Sequence, residues 1–221
     1  MTYLELVNDV LIRLREDTVA SVSDTSYSRL IGKYIRDAQR HVEDSYDWNS
    51  LSATLTAVTN SDYFNYVLTG AGTRFRVLDV INDTSDIVME YVPSTTLTEW
   101  MRLRGTTEKG TPTYYNFNGT YRDPTSGMTD TRVDLFPVPD GEYSIRFNII
   151  QPQDPLKNDT DALLVPDEPV IFLAYAKAIA ERGEDAGLTT SEAYQLYQQS
   201  LAEHIAIESN RYPEELVWRA A

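Results

Sequence analysis

Cysteine is absent from the 221-residue chain, which excludes disulfides and thiolate metal sites and fits synthesis in a reducing compartment. Histidine is scarce, with only His41 and His204 present. Basic side chains are the minority, 19 against 34 acidic, for a net charge of −15. That balance argues against wrapping nucleic acid, which needs clustered Lys and Arg to neutralise phosphates. It remains compatible with DNA nearby, because an acidic surface can line a passage to which DNA must not stick. Long apolar runs are missing too, so no transmembrane helix is expected. The opening residues lack the basic region and apolar core of a signal peptide. No Gly-x-Ser-x-Gly elbow, phosphate-binding glycine loop or dinucleotide fingerprint occurs. There is no internal repeat and no low-complexity tract.

What is present begins with strong helical periodicity at both ends of the chain. Thr2-Tyr3-Leu4-Glu5 has the pattern of a capping box, and Leu4, Val7, Leu11 and Leu14 follow at three- and four-residue steps. This predicts a helix ending near Arg15 or Glu16. A loop rich in Ser, Thr and Asp runs to Thr25, and a second helix is expected over Ser26–Tyr46. Leu30, Ile31, Tyr34, Ile35, Ala38 and Val42 form its apolar face, while Lys33, Arg36, Arg40 and Glu43 point away. Far along the chain, Val165–Trp218 reads as another helical pair. Pro169 suits a first helical turn. Val170, Leu173, Ala174, Lys177 (by its stem) and Ala178 then recur at helical spacing. Gly183 and Gly187 end that helix, and Thr189 or Thr190 can cap the next. Tyr194, Tyr197, Leu201, Ile205 and Glu208 make its stripe, stopped by Tyr212-Pro213.

Between these pairs the period changes to two. Leu51, Ala53, Leu55 and Ala57 alternate with polar residues, and strands are also expected at Tyr63–Leu68, around Phe75–Ile81, at Ile87–Tyr91 and at Thr113–Phe117. A short helix is capped by Thr96-Leu97-Thr98-Glu99, and Gly119–Thr131 reads as a polar loop. Val133–Phe136, the turn Pro139-Asp140-Gly141 and Tyr143–Ile149 read as a hairpin. The expected fold is α+β, an antiparallel four-helix bundle with an antiparallel β domain of roughly seven strands inserted between helices 2 and 3. The corresponding division is 1–50 and 153–212 for the two halves of the bundle, 51–152 for the β insertion and 213–221 for a C-terminal docking tail.

Catalytic and metal chemistry find little support. His41 with Asp37, and His204 with Glu208, have the four-residue spacing of a metal pair on a helix. No second histidine stands on either helix, and in so acidic a chain such spacing arises readily, so no metal, cofactor or catalytic residue is assigned. The turns Asn82–Asp86 and Asn158–Asp161 lack the glycine and terminal Glu of a calcium loop and read as Asx turns. Fifteen tyrosines and three tryptophans offer a sugar-binding surface, a protein–protein surface or ordinary core, and these remain open. Pro213, Leu216, Val217 and Trp218 form an apolar tail beyond the last helix. It suits burial on another subunit, or folding back on its own bundle.

Several stretches together resemble the head-to-tail adaptor proteins of short-tailed phages, the tail tubular protein A or gatekeeper family. They are TYLELVNDVLIRLRE, YSRLIGKYIRDAQRHVEDSYDW, LFPVPDGEYSIRFNIIQPQDPLKND with LLVPDEPVIFLAYAKAIAERGE, and EAYQLYQQSLAEHIAIESNRYPEELVWRA. The resemblance implies a non-enzymatic virion protein, assembled in the host cytoplasm and needing no cofactor or membrane. It implies a ring, usually of twelve copies, between the portal protein and the tail nozzle, with attachment points for tail fibres. DNA would pass through its channel without specific binding, and the tail from Pro213 would dock on the portal. The alternative is a phage tail protein that binds or cleaves carbohydrate through the aromatic β block.

Overall fold

The computed structural model describes residues 1–104, 108–125, 127–183 and 192–211. It divides into two compact units, Ser52–Gln151 and the remainder, Met1–Leu51 with the chain from Pro152.

In the helical unit, α1 (Tyr3–Arg13) starts at the expected capping box: the Thr2 hydroxyl accepts from the Glu5 amide, and the Glu5 carboxylate accepts from the Thr2 amide. Those hydrogen bonds hold the Glu5 carboxyl below its ordinary pKa. Two further amides of the first turn, Tyr3 and Leu4, donate to the carbonyls of Asp161 and Asp159 at 2.8 and 3.1 Å. The amides that a helix start leaves unpaired are therefore met from the other end of the sequence. α2 (Ser26–Ser45) is capped by Thr25 and Ser28, and the Ser28 hydroxyl also donates to the Val22 carbonyl. α4 (Asp167–Arg182) ends on Gly183, whose φ of 70° is the left-handed conformation glycine adopts freely. α5 spans Glu192–Ser209.

α4 changes the architecture from the one expected. Pro169, Val170, Ile171, Leu173, Ala174, Ala176 and Ala178 are all buried and cover well over half of the helix circumference, leaving a narrow side with Glu168, Phe172 and Tyr175 less covered. It packs against α1, α2 and α5, so it is a central helix with neighbours rather than one of four equal amphipathic members. Glu43, expected to point outward, is 4% exposed and accepts a hydrogen bond from Gln39 at 2.8 Å.

Gly32 sits inside α2, where glycine normally costs about 0.5–1 kcal/mol relative to alanine. Space explains it. A Cβ there would lie 2.4 Å from the Tyr3 hydroxyl oxygen and 2.9 Å from Val22 Cγ1. Gly32→Ala is expected to destabilise the unit by about 1–3 kcal/mol from overpacking, partly offset by better helix propensity. Adding Tyr3→Phe removes the nearest atom and should recover part of the loss, as measured by denaturant titration.

The second unit is a sandwich of two four-stranded sheets. One has the order β1 (Ser52–Val58), β8 (Ser144–Ile150), β3 (Arg76–Asn82), β4 (Ile87–Val88), and the other β2 (Asn65–Leu68), β7 (Thr129–Phe136), β6 (Tyr114–Arg122), β5 (Glu90–Tyr91). Inward-facing Val80, Ile145, Phe147 and Ile149 of the first meet Leu68, Tyr115, Val133 and Leu135 of the second. The core alternates with outward residues along each strand, as in packed sheets generally.

An antiparallel four-helix bundle with an inserted antiparallel β domain is therefore not what forms. A fifth helix, α3 (Ser94–Arg104), crosses between β5 and β6 and makes those two strands parallel, Glu90 opposite Tyr114 and Tyr91 opposite Tyr115. Leu97 anchors it against Val92 and Phe136. The expected hairpin is also absent. β7 and β8 lie in different sheets, their inward residues facing each other across the core rather than pairing edge to edge. The hairpin is formed one strand earlier, by β6 and β7, within what the sequence presents as a polar loop.

Candidate interaction surfaces

Pro213, Leu216, Val217 and Trp218 lie outside the described residues. The two histidines are placed and occupied. The His41 ring packs 5.9 Å from the Tyr197 ring. His204 Nδ1 lies 2.8 Å from the Ser200 carbonyl, while Glu208 accepts from the Asn49 amide at 3.0 Å and pairs with Arg211. Glu208 is thus turned to the chain that follows α2, not to His204. The phenol of Tyr197 is buried without a hydrogen-bond partner among the described residues, and burial pushes its pKa up to about 12. Among the described residues no group of three or more His, Asp and Glu is placed to hold a metal ion.

Both acidic turns are structural. Asp161 accepts the amides of Lys157 and Asn158 at 2.7 and 2.8 Å, which holds its carboxyl below the usual range. Asp83 pairs with Arg146 at 3.0 Å, and Asn82 is fully buried with its amide donating to the Pro112 carbonyl.

The face of β7 turned away from the sandwich core carries Asp130, Arg132 and Asp134. Asp134 is 5% exposed and accepts from the amides of Asn65 and Asn118 at 2.5 and 2.8 Å. Asp130 accepts the amides of Gly70 and Gly72, fixing the turn after β2. Between them Arg132 extends over the Tyr121 ring at 5.4 Å. Its Nε is enclosed and has no hydrogen-bond partner among the described residues. Together with Asn60, Tyr63, Asn65, Tyr66 and Val67, the Arg132 and Tyr121 side chains line an open groove of about 490 Å³. Tyr66 is fixed there, its hydroxyl bonded to the backbone of Asn60 and Tyr63, whereas Tyr63 is 63% exposed. Such a groove offers aromatic faces and a cation to a partner group. The sequence gives one trace of it, the alternation from Asp130 to Leu135, which continues a strand into the segment read as loop.

Other large apolar side chains stand uncovered on both units. Ile12 and Ile207 are 60% and 63% exposed, Val88 72%, Leu103 69% and Met128 69%. Exposed apolar residues scattered singly are ordinary. Along α5, however, Leu196 and Ile207 share one face eleven residues apart, outside the buried stripe Ala193, Tyr197, Ser200, Glu208. The expected stripe shared Tyr197 and Glu208 with it and also included Tyr194, Leu201 and Ile205, which are half-buried, so the covered side is the expected one turned toward Ala193 and Ser200.

Residues 1–219 match the family model described as SU10 adaptor protein. The chain belongs to that family. None of the curated proteins compared with it matches. SU10 adaptors are phage head-to-tail adaptors, structural components of the virion connector that meet portal and tail components and associate with one another. The described surface of this SU10 adaptor leaves open grooves and single apolar side chains uncovered in the single chain. No described helix of the adaptor is long and apolar enough to cross a membrane.

Proposed function

We propose that this adaptor forms a ring, with about twelve copies, that seats on the portal, holds the tail nozzle and continues the DNA channel. The observation that carries this reading is the family match over residues 1–219. The net charge of −15 supports it, because an acidic lining repels phosphates at contact range and lets DNA slide. At physiological ionic strength that repulsion reaches only about 8 Å, so it acts in a close-fitting passage and hardly beyond.

In this reading the segments 1–50 and 153–212 build the ring wall, and 51–152 faces the nozzle and the tail fibres. The tail 213–221 docks on the portal through Pro213, Leu216, Val217 and Trp218. Burying each large apolar side chain would supply roughly 1.5–3 kcal/mol. Deleting Glu214–Ala221 is expected to leave a folded protein that no longer co-sediments with purified portal; undiminished co-sedimentation would remove the docking role. The ring is tested by electron microscopy of adaptor assembled on portal. One observation favours a second reading, a carbohydrate-binding tail protein. The tyrosine groove with its unpaired Arg132 Nε could hold a sugar as readily as a protein loop, and a glycan array separates the two.

A further inference from the structure

In a chain with so large an acidic excess, one helix carries a cationic stripe. Arg29, Lys33, Arg36 and Arg40 occur at i, i+4, i+7 and i+11 of α2, all exposed, and run about 16 Å along one side of the helix. None of the four forms an ion pair with a described residue, although acidic side chains outnumber basic ones 34 to 19 in the chain. Arg29 is engaged only through its Nε, which donates to the Thr25 carbonyl at 3.2 Å. Lys157, brought from the connection before α4, joins Arg29 and Arg36 around a concavity of about 460 Å³ whose floor includes Tyr3. Asp159 also lines it, and its carboxylate already accepts the Val22 amide at 3.2 Å. The pocket thus holds three cations against one engaged carboxylate.

We propose that the α2 cationic stripe and its pocket receive an acidic segment of a second copy of this chain, forming one half of the contact between neighbours in the ring. The inference rests on the ring reading above. Copies that each carry a charge of −15 repel one another, and a closed ring forces them into contact. A head-to-tail interface needs two unlike patches on each copy, and unpaired cations are the scarce complement to an otherwise acidic surface. The concavity favours this occupant over DNA. A pocket of this size admits a protruding carboxylate side chain with its backbone, whereas a duplex presents a convex wall of phosphates that would span it.

The test is charge reversal in the full chain, Arg29→Glu with Arg36→Glu and Lys157→Glu, assembled on portal-bearing heads and followed by native mass spectrometry and electron microscopy. The milder triple alanine variant guards against misfolding, with circular dichroism as the check. Ring formation by the reversed variant should need a protein concentration roughly tenfold higher or more, and wild-type assembly should weaken as salt rises. Zero-length carbodiimide coupling in mixed isotope-labelled and unlabelled rings should join Lys157 or Lys33 of one copy to an Asp or Glu of another. Rings that form equally well from both reversed and wild-type protein, or that yield no such cross-copy pair, overturn the inference and leave the ring intact. Unchanged assembly with lost binding to a short DNA duplex would assign the stripe to DNA instead. If the wild type itself forms no ring on the heads, the ring reading fails and the inference goes with it.

Discussion

Trp48→Ala is expected to destabilise the helical unit by about 3–5 kcal/mol, a large share of the roughly 5–15 kcal/mol that keeps a domain folded. Trp48 is 2% exposed and is the largest fully buried side chain among the described residues. It turns back onto the end of α2, where its indole Nε1–H donates to the Val42 carbonyl at 2.7 Å and its ring meets Tyr46 edge-on at 5.5 Å. The Val42 carbonyl is one of the last four of the helix, which have no partner within it. The next residue, Asn49, donates its amide to Glu208 on α5, so the same corner ties α2 to the last described helix. Trp48→Phe separates packing from hydrogen bonding. The Ser45 hydroxyl also donates to the Val42 carbonyl at 2.7 Å, so that acceptor stays satisfied when the indole is removed. The phenylalanine variant should therefore lose only about 1–2 kcal/mol, mostly from volume, while adding Ser45→Ala should cost about 1–3 kcal/mol more by orphaning the carbonyl. Urea titrations of the three variants give the comparison. A loss under about 1 kcal/mol for Trp48→Ala would mean the corner refills without it.

Trp48 also illustrates what the sequence carries. Its place after a helical stripe marks a boundary, and the capping patterns at Thr2 and Gly183 are local enough to be read directly. Helix positions follow from periodicity because one stripe faces one core. The expected bundle fails at α4 because its buried arc is wider than one stripe and meets three helices, yet Ala174, Ala176 and Ala178 look like an ordinary apolar stretch until those neighbours are known. The β unit is legible as strands and illegible as pairing. Period two assigns Val133 and Ile145 to a buried face, but a pair within one sheet and a pair across two sheets leave the same alternation. The parallel β5–β6 contact depends on α3, whose start at Ser94 makes Thr96 an interior residue rather than a cap. Surfaces are harder still. Arg132 and the α2 stripe become notable only when the absence of partners can be seen, and partners come from anywhere in the chain. The sequence pattern predicts Lys33, Arg36 and Arg40 on the outer side of α2 together with Glu43, but an outward position alone does not tell a solvated face from a docking face.

Phe147→Ala is expected to strike the β unit as hard as Trp48→Ala strikes the helical one. β8 is the strand between β1 and β3, with Phe147 opposite Leu55 on one side and Val80 on the other. The side chain is fully buried, and its ring meets Tyr115 of the opposite sheet edge-on, centroids 6.2 Å apart at 87°. Tyr115 in turn meets Phe117, and Phe117 meets Phe75, at 5.7 and 5.3 Å. Phe147 thus joins an aromatic row with Tyr115 and Phe117 of β6 and with Phe75, the residue before β3. Such edge-to-face pairs add about 0.5–1.5 kcal/mol to the burial itself. Truncation to alanine loses the transfer term, the ring contact and the packing around a cavity that strands cannot easily close, about 3–5 kcal/mol in all. In a unit of this length each kcal/mol lowers the melting midpoint by about 4–8 °C. Phe147→Leu keeps most of the volume and should lose less than half as much. Calorimetry with near-ultraviolet circular dichroism checks both, since a loosened Tyr115 should also lose its dichroic signal. An alanine variant that melts within a few degrees of the parent would show that the two sheets are held by other contacts than this row.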